Sequence, residues 1–295
     1  MDKDILSLME LDKDELNAII ESAIKLKKDR YNQLLKNKVF TMIFQKASTR
    51  TRVSFEVAML ELGGNAISLN INDIQLSRGE SIEDTARTLA LYSNGIGARV
   101  YAHDDVVRLA KASRVPVINM LSELYHPCQI LGDLLTIREV KNRDNLTLAW
   151  IGDGNNVCNS LIIGCHLSNI KVRVGCPEGY EPYEEALNFA KDSVEIIHDP
   201  RKAIKDADIV YTDSFVSMGH EEEREERLKI FLPDYQVNSE LFSLAKEDAI
   251  FMHCLPAKRG EEVTDDVIDS DRSVVWQQAE NRLHAQKALL VRLLK

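Results

Sequence analysis

The segment at residues 146–176 constrains the fold of this chain more than any other. Residues 146–151 form a short apolar run typical of a buried strand, and the glycine turn 152–154 follows it. A helical pattern covers residues 157–167, and residues 172–176 resemble a second buried strand. A strand, a crossover helix and a second strand form a right-handed unit, which predicts a parallel sheet.

Strand-like and helical runs alternate along the rest of the chain, as is typical of α/β proteins. The chain has 295 residues, which suits two domains of ~100–200 residues each. We therefore predict an α/β protein of two domains, each a doubly wound layer fold around a parallel sheet. Further strands are expected at 39–44, 97–101, 115–119, 209–212 and 249–252, and further helices at 16–26, 82–91 and 277–294.

A cluster of hydroxyl and guanidinium side chains follows the first predicted strand. Residues 48–52 read Ser-Thr-Arg-Thr-Arg, and helical apolar spacing follows them. Ser48 is a candidate N-cap, because its hydroxyl can accept a hydrogen bond from the first helical turn. Free N–H groups, the helix dipole and Arg50 would together favour a phosphate-like anion. Similar clusters also occur on solvated helix ends, so this motif alone leaves both interpretations open.

Two further polar motifs lie where an α/β sheet binds ligands. Residues 126–129 read His-Pro-Cys-Gln at a predicted helix start, where Pro127 costs no hydrogen bond. Residues 253–256 read His-Cys-Leu-Pro after the predicted strand at 249–252. Ligands of open α/β sheets bind at the carboxyl ends of the strands. Both motifs are therefore candidates for a binding site.

The glycine turn at 152–154 invites comparison with dinucleotide-binding loops. The full fingerprint needs a third glycine at the start of the helix, where Val157 stands in this chain. No acidic residue closely follows the strand at 172–176. The sequence therefore argues against a nicotinamide cofactor.

Composition limits the classes of partner. Lysine and arginine total 37 against 47 acidic residues, a net charge of −10, which argues against non-specific nucleic-acid binding. No apolar run approaches the ~18–20 residues of a membrane span, and the N-terminus lacks the shape of a signal peptide. We therefore expect a cytoplasmic protein that binds neither membrane nor nucleic acid.

The five cysteines lie at positions 128, 158, 165, 176 and 254, with no Cys-x-x-Cys pair. A disulfide framework or a metal site is not expected from this spacing. The first four are interpreted as small buried residues. Cys254 lies in the His-Cys-Leu-Pro motif, and a nucleophilic role for it stays open.

Five motifs in combination resemble the aspartate/ornithine carbamoyltransferase family over essentially the whole chain. They are residues 48–52, 126–129, 152–156, 253–256, and Asp213 with 217–219. The resemblance implies transfer of a carbamoyl group from carbamoyl phosphate to the side-chain amine of L-ornithine, giving L-citrulline and phosphate. It implies direct attack through a tetrahedral intermediate, without a covalent enzyme intermediate. The loop at 213–219 is similar to that of members that use ornithine rather than aspartate or putrescine.

The resemblance also implies that the two domains bind different substrates. Residues 1–140 would bind carbamoyl phosphate, residues 141–274 would bind ornithine, and a C-terminal helix at about 275–295 would return to the first domain. The implied catalytic residues are Arg99, His126, Cys254 and Arg282. The implied carbamoyl phosphate ligands are Ser48, Thr49, Arg50, Thr51, Gln75, Arg99, His126, Gln129, Cys254, Leu255 and Arg282.

Ornithine would be bound by Asn156, Asp213, Ser217 and Met218, although Asp213 could instead cap a helix and Met218 could be plain core. No cofactor and no metal are implied. Gln75 would reach the phosphate of a neighbouring subunit, which implies a homotrimer and leaves open whether trimers assemble further. Two other functions stay open: a carbamoyltransferase with a different amine acceptor, and a non-catalytic binding or regulatory subunit. The direction of the reaction in the cell is not determined by the sequence.

Overall fold

A computed structural model describes residues 4–216 and 221–295. The chain divides into two compact units. The first comprises the chain up to Leu135 together with Glu280–Lys295, and the second comprises Thr136–Ala279. Within the described ranges, no helix is both long enough and apolar enough to cross a membrane.

The first unit is built on four strands: β1 (Val39–Phe44), β2 (Asn65–Asn70), β3 (Gly95–Arg99) and β4 (Val117–Leu121). Its helices are α1 (Lys13–Lys28), α2 (Thr49–Glu61), α3 (Ile82–Tyr92), α4 (His103–Ala112) and the start of α5 (Pro127–Lys141), with short 3-10 helices at Leu8–Glu10, Ile71–Asp73 and Gln75–Arg78. The strands pair in the order β2-β1-β3-β4, and every pairing is parallel.

The second unit is built on five strands: β5 (Thr147–Ile151), β6 (Lys171–Gly175), β7 (Val194–Ile197), β8 (Ile209–Thr212) and β9 (Ile250–His253). Its helices are α6 (Asn156–Leu167), α7 (Glu184–Ala190), α8 (Pro200–Ile204), α9 (Arg224–Phe231), α10 (Ser239–Phe242), α11 (Asp265–Ile268) and the start of α12 (Val275–Leu294), with a 3-10 helix at Glu221–Glu223. All pairings in the order β7-β6-β5-β8-β9 are parallel. The predicted fold class, two parallel-sheet α/β layers, is therefore confirmed.

Both sheets reverse their strand order beside their first strand. In the first unit, β2 lies on one side of β1 and β3 on the other. In the second unit, β6 and β7 lie on one side of β5, and β8 and β9 lie on the other. The connections leave a crevice between the carboxyl ends of the two strands at such a reversal, and ligands bind there. Each unit therefore has one such switch point.

The C-terminal part of α12 belongs to the first unit, as predicted, and a buried ion pair fixes it there. The Lys287 ammonium donates to Glu61 Oε2 at 3.0 Å and to the carbonyls of Leu26 and Arg30. Lys287 and Glu61 are almost completely buried, so three hydrogen bonds offset the cost of burying the ammonium. The ion pair fixes α12 about one and a half turns beyond Arg282.

Gly132 allows α5 and α12 to approach closely within the first unit. A Cβ atom at this position would lie 3.2 Å from both the Cδ and the backbone N of Arg282. Glycine in a helix costs about 1 kcal/mol relative to alanine. The close contact gives a physical reason for this residue, and it places the Arg282 backbone directly against α5.

Candidate functional site

The motif at 48–52 forms the end of β1 and the start of α2. Ser48 is the N-cap, as predicted, and its Oγ accepts a hydrogen bond from the Thr51 N–H at 3.2 Å. Thr49 is exposed and Arg50 is half-buried at the first turn. Arg52 pairs with Glu56 one turn later at 3.1 Å, as expected for a structural pair on the helix surface. Thr49 and Arg50 are therefore side chains of the first turn of α2 that solvent or a ligand can reach.

A buried network joins three of the predicted anion ligands. The Arg282 guanidinium donates from Nη1 to Gln129 Oε1 at 2.6 Å and from Nη2 to Thr51 Oγ1 at 3.1 Å. The Gln129 amide donates from Nε2 to Asp133 Oδ1 at 2.8 Å. All four side chains are almost completely buried. Asp133 was missed in the sequence, although its i+4 spacing from Gln129 on one helix was a usable signal.

Arg99 and His126 lie beside this network. Arg99 is the last residue of β3, where the register against β4 shifts between Ala98 and Arg99. Such irregularities re-aim side chains at strand ends. His126 directly precedes Pro127, the first residue of α5. Both Arg99 and His126 are 5% exposed, so both side chains are shielded from solvent.

The electrostatics of His126 show that this cluster is strongly cationic. Burial, together with the positive charges of Arg282, Arg99 and Arg50, holds the pKa of His126 well below its usual value. His126 is therefore a neutral imidazole at pH 7, which can donate one hydrogen bond and accept another. A cluster of arginines around a neutral histidine at a switch point favours an anionic ligand with a polar carbonyl.

Gln75, the remaining predicted ligand of the first unit, lies in the segment between β2 and α3. It begins the 3-10 helix Gln75–Arg78 and is exposed. Its predicted role requires a second copy of the chain, so it stays a prediction.

In the second unit, the switch point brings together residues that follow three neighbouring strands. Asp213 follows β8, Cys254 follows β9, and Asn155 lies in the turn after β5. The Asp213 carboxylate accepts hydrogen bonds from Asn155 Nδ2 at 2.8 Å, Cys254 Sγ at 3.0 Å and the Ser214 N–H at 2.8 Å. In this arrangement the Cys254 thiol acts as a hydrogen-bond donor to Asp213, whereas a nucleophile would be the thiolate.

Asn155 was not predicted as a site residue, although it lies within the motif at 152–156. Its Oδ1 caps α6 by accepting from the N–H groups of Val157 and Cys158, at 3.0 and 3.1 Å. Its amide nitrogen is the donor to Asp213. Asn156, the predicted ligand, is the first residue of α6. The predicted ligands Ser217 and Met218 lie outside the described residues.

The glycine turn after β5 packs against the chain itself. A Cβ atom at Gly154 would lie 2.3 Å from the Pro182 N and 2.6 Å from the Tyr180 carbonyl oxygen. The second glycine of a dinucleotide fingerprint instead lets a pyrophosphate approach. The backbone at 180–182 occupies that space here, and Asn155 already caps α6. This geometry argues against a dinucleotide, as the sequence does.

Among the described residues, one group of potential metal ligands lies at the adjacent ends of β8 and β9. Atoms of Asp213, His253 and Cys254 lie within 4.8 Å of one another, and these side-chain types suit a borderline-soft cation. His253 contacts Glu262 Oε1 through Nε2 at 3.1 Å and accepts from the Leu255 N–H through Nδ1 at 2.9 Å. Both ring nitrogens therefore already have partners. The expectation that no metal is needed stays a prediction.

Comparison with known proteins gives these two sites a family context. Residues 3–139 match the carbamoyl-P binding domain of aspartate/ornithine carbamoyltransferases, and residues 144–293 match the Asp/Orn binding domain of the same family. The two matches correspond to the cationic and the Asn/Asp-lined switch points, respectively.

Similar proteins span the whole chain. The ornithine carbamoyltransferase of Methanosarcina mazei is 55% identical over 303 residues, covering 100% of each chain. The anabolic ornithine carbamoyltransferase of Pyrococcus furiosus is 54% identical, over 98% of this chain and 95% of the relative.

Solved structures agree with the sequence matches. An ornithine carbamoyltransferase structure from Pyrococcus furiosus has a TM-score of 0.95 at 54% identity, covering 99% of this chain and 97% of that one. One from Thermus thermophilus has a TM-score of 0.93 at 43% identity and covers 100% of both chains. With both domain models and full-length relatives matching, this chain belongs to the aspartate/ornithine carbamoyltransferase family.

Proposed function

We propose that the protein transfers the carbamoyl group of carbamoyl phosphate to the side-chain amine of L-ornithine, releasing L-citrulline and phosphate. The observation that carries this proposal is the cationic cluster of the first unit, in which Arg50, Arg99 and Arg282 surround the neutral His126. The names of the full-length relatives support ornithine as the acceptor.

The phosphate of the donor binds at the N-terminus of α2. There the remaining free N–H groups of the first turn and the hydroxyls of Ser48, Thr49 and Thr51 can donate to phosphate oxygens, and the helix dipole favours negative charge. The Arg50 guanidinium adds a charge-assisted fork, which suits phosphate geometry. The local charge is positive even though the chain as a whole carries −10.

The carbonyl group of the donor is polarised by Arg99, His126 and Arg282. Its oxygen gains negative charge as the carbon becomes tetrahedral, and preorganised donors typically contribute about 10²–10³-fold in rate each. The neutral His126 donates without first having to be protonated. Gln129 holds the carbamoyl NH₂ group, and its amide orientation is set by Arg282 and Asp133.

The acceptor amine must be neutral to attack. An alkyl amine with a pKa near 10.4 is only about 0.04% neutral at pH 7. Asp213 binds the α-amine of ornithine and Asn156 its α-carboxylate, with Ser217 and Met218 as further ligands. Cys254 and the Leu255 carbonyl lie near the reacting nitrogen and orient it, and no covalent enzyme intermediate is formed.

The domain roles, assembly and location belong to the same proposal. Residues 1–140 with the helix near 275–295 bind carbamoyl phosphate, and residues 141–274 bind ornithine, in a homotrimer in which Gln75 serves a neighbouring site. All five cysteines lie among the described residues and none forms a disulfide, which suits a reducing cytoplasm. The name of the anabolic relative supports the direction of arginine biosynthesis.

A parallel citrulline assay tests the acceptor. Carbamoyl phosphate is supplied with ornithine, putrescine or aspartate, and each carbamoylated product is measured. Ornithine should be the best acceptor by kcat/KM. A higher value with another amine would replace ornithine in the proposal, and absence of any product from folded protein would favour a non-catalytic family member.

Calorimetry with carbamoyl phosphate tests the donor site. Arg50→Ala should abolish measurable binding while leaving the circular dichroism spectrum intact, because it removes a guanidinium from the phosphate. Arg52→Ala is the matched control, since Arg52 pairs with Glu56 on the helix surface. Unchanged affinity in the Arg50 variant would contradict the assigned phosphate site.

The pH dependence of kcat/KM for ornithine tests the neutral-amine requirement. The rate should rise above neutrality as the free amine loses its proton. A flat profile between pH 6 and 9 would show that attack by this amine does not limit the rate.

A further inference from the structure

We propose that Glu262 is a positioning residue for the acceptor side of the reaction, an inference that rests on the proposed function. Glu262 acts through His253 on the turn at residues 253–258. This turn carries Cys254 and Leu255, and Cys254 donates to Asp213. Glu262 does not touch the substrate itself.

One carboxylate oxygen of Glu262 ties together both ends of the turn. Oε1 accepts from the His253 ring Nε2 at 3.1 Å and from the Lys258 N–H at 2.5 Å. Nδ1 of the same ring accepts from the Leu255 N–H at 2.9 Å. Because Nδ1 is an acceptor, the ring proton lies on Nε2 and is donated to Glu262. The carboxylate thus selects the tautomer that holds the middle of the turn.

The turn needs such a restraint because the backbone of Leu255 has an unfavourable conformation. Leu255 has a φ of 58°, in the left-handed region, where a residue other than glycine costs roughly 1–2 kcal/mol. The hydrogen bond from its N–H to His253 opposes relaxation of this conformation. Loss of the restraint would let Leu255 move, and Cys254 beside it would shift relative to Asp213.

The burial of Glu262 also favours a positioning role over plain packing. His253 and Glu262 have no more than 1% exposure, and Glu262 Oε2 has no hydrogen-bond partner among the described residues. Burying a carboxylate is costly, and an apolar side chain of similar volume is often as stable. We therefore attribute the carboxylate at position 262 to its two hydrogen bonds, which hold the turn at residues 253–258.

Steady-state kinetics of three variants test this role. Glu262→Leu removes both hydrogen bonds, and kcat for citrulline formation should fall about 10–100-fold, as a displacement of about 1 Å in a positioned group does. The KM for carbamoyl phosphate should change less than kcat, because the phosphate is assigned to the start of α2, outside this turn. Glu262→Gln should recover most of the rate, because its Oε1 can accept the same two bonds. Glu261→Leu is the matched control, since Glu261 pairs with Arg224 outside the turn.

Thiol labelling tests the turn without reference to activity. Cys254 is half-buried and the other four cysteines are buried; burial raises the pKa of Cys128 and of Cys176 to about 12. A disulfide reagent at pH 8 should therefore modify one thiol rapidly, and Cys254→Ala should remove that reaction. Glu262→Leu should accelerate it severalfold, and Glu262→Gln should not. If wild-type protein forms no citrulline, the proposed function fails while this readout still tests the turn.

A second pair of variants covers the case in which Glu262→Leu does not fold. His253→Asn keeps an acceptor near Nδ1 for the Leu255 N–H, whereas His253→Gln does not. Labelling should be faster in the Gln variant than in the Asn variant. The proposal is overturned if Glu262→Leu matches wild type in kcat and labelling rate, if Glu262→Gln is as impaired as Glu262→Leu, or if both His253 variants label alike.

Discussion

The two switch points occupy the same place in two similar sheets but have opposite chemistry. In the first unit, Arg99 ends β3, and the start of α2 after β1 contributes Arg50. In the second unit, the corresponding positions hold Asp213 after β8 and Asn155 after β5. One crevice is lined by guanidinium groups, and the other by a carboxylate and amides.

The difference shows that topology decides where a ligand binds and side chains decide which ligand. Ser48 caps α2 by accepting from one N–H group, that of Thr51, whereas Asn155 caps α6 by accepting from two, those of Val157 and Cys158. The proposed phosphate site lies in the first crevice, and the proposed site for the α-ammonium and α-carboxylate of ornithine lies in the second. Variants of each crevice should therefore separate the two substrates.

The largest effect is expected for Arg282→Met in the cationic crevice. It removes the proposed donor to the carbonyl oxygen and takes the buried guanidinium donor away from Gln129 Oε1 and Thr51 Oγ1. We expect kcat to fall by about 10³-fold, the upper range for one such donor. Steady-state kinetics should show this, and Arg292→Met on the same helix, which removes a surface pair with Glu15, should not.

The second-largest effect is expected for Asp213→Asn in the crevice of the second unit. A hydrogen bond to a charged group contributes about 1.5–3 kcal/mol, so kcat/KM for ornithine should fall roughly 10–150-fold. The KM for carbamoyl phosphate should stay within error. The exposed Asp192→Asn serves as control. A comparable change in the KM for both substrates would contradict the separation of the two crevices.

A smaller effect is expected for Gly132→Ala, which tests how the cationic crevice is built. The added methyl would lie 3.2 Å from Arg282, and such overpacking typically costs 1–3 kcal/mol. We expect a lower melting temperature and a kcat reduced about tenfold by the displaced guanidinium. Retained activity with a lower melting temperature would limit Gly132 to a packing role.

The smallest effect is the pH dependence of stability in the cationic crevice. The pKa of His126 is held well below 6.5 in the folded protein by burial and by the arginines, so between these two values only the unfolded chain binds the proton. The free energy of unfolding should therefore decrease by at most about 1.4 kcal/mol per pH unit as pH falls below 6.5. Denaturant titrations at several pH values should show that His126→Asn lacks this pH-dependent decrease in the free energy of unfolding.

Prediction from the sequence succeeded where the signal was local. The buried strands at 39–44 and 209–212 have the predicted bounds, and Ser48 caps α2. The edge strands β2 and β7 were not predicted, because both are only partly buried and have weak apolar runs. Glu262 was missed because its importance comes from its contact with His253, and a single buried carboxylate carries no pattern. Asp133 was missed although its i+4 spacing from Gln129 was a signal.

The sequence by itself determined the α/β class, the parallel sheets, the helix start capped by Ser48 and the family, because each depends on local periodicity or on short ordered motifs. Only the tertiary structure decided that Arg282 meets Thr51 and Gln129, that Asn155 and Cys254 hold Asp213, and that Gly154 packs against the backbone at 180–182. Those contacts join residues up to 231 positions apart. Long-range contacts of this kind depend on strand order and helix packing, which no local pattern encodes.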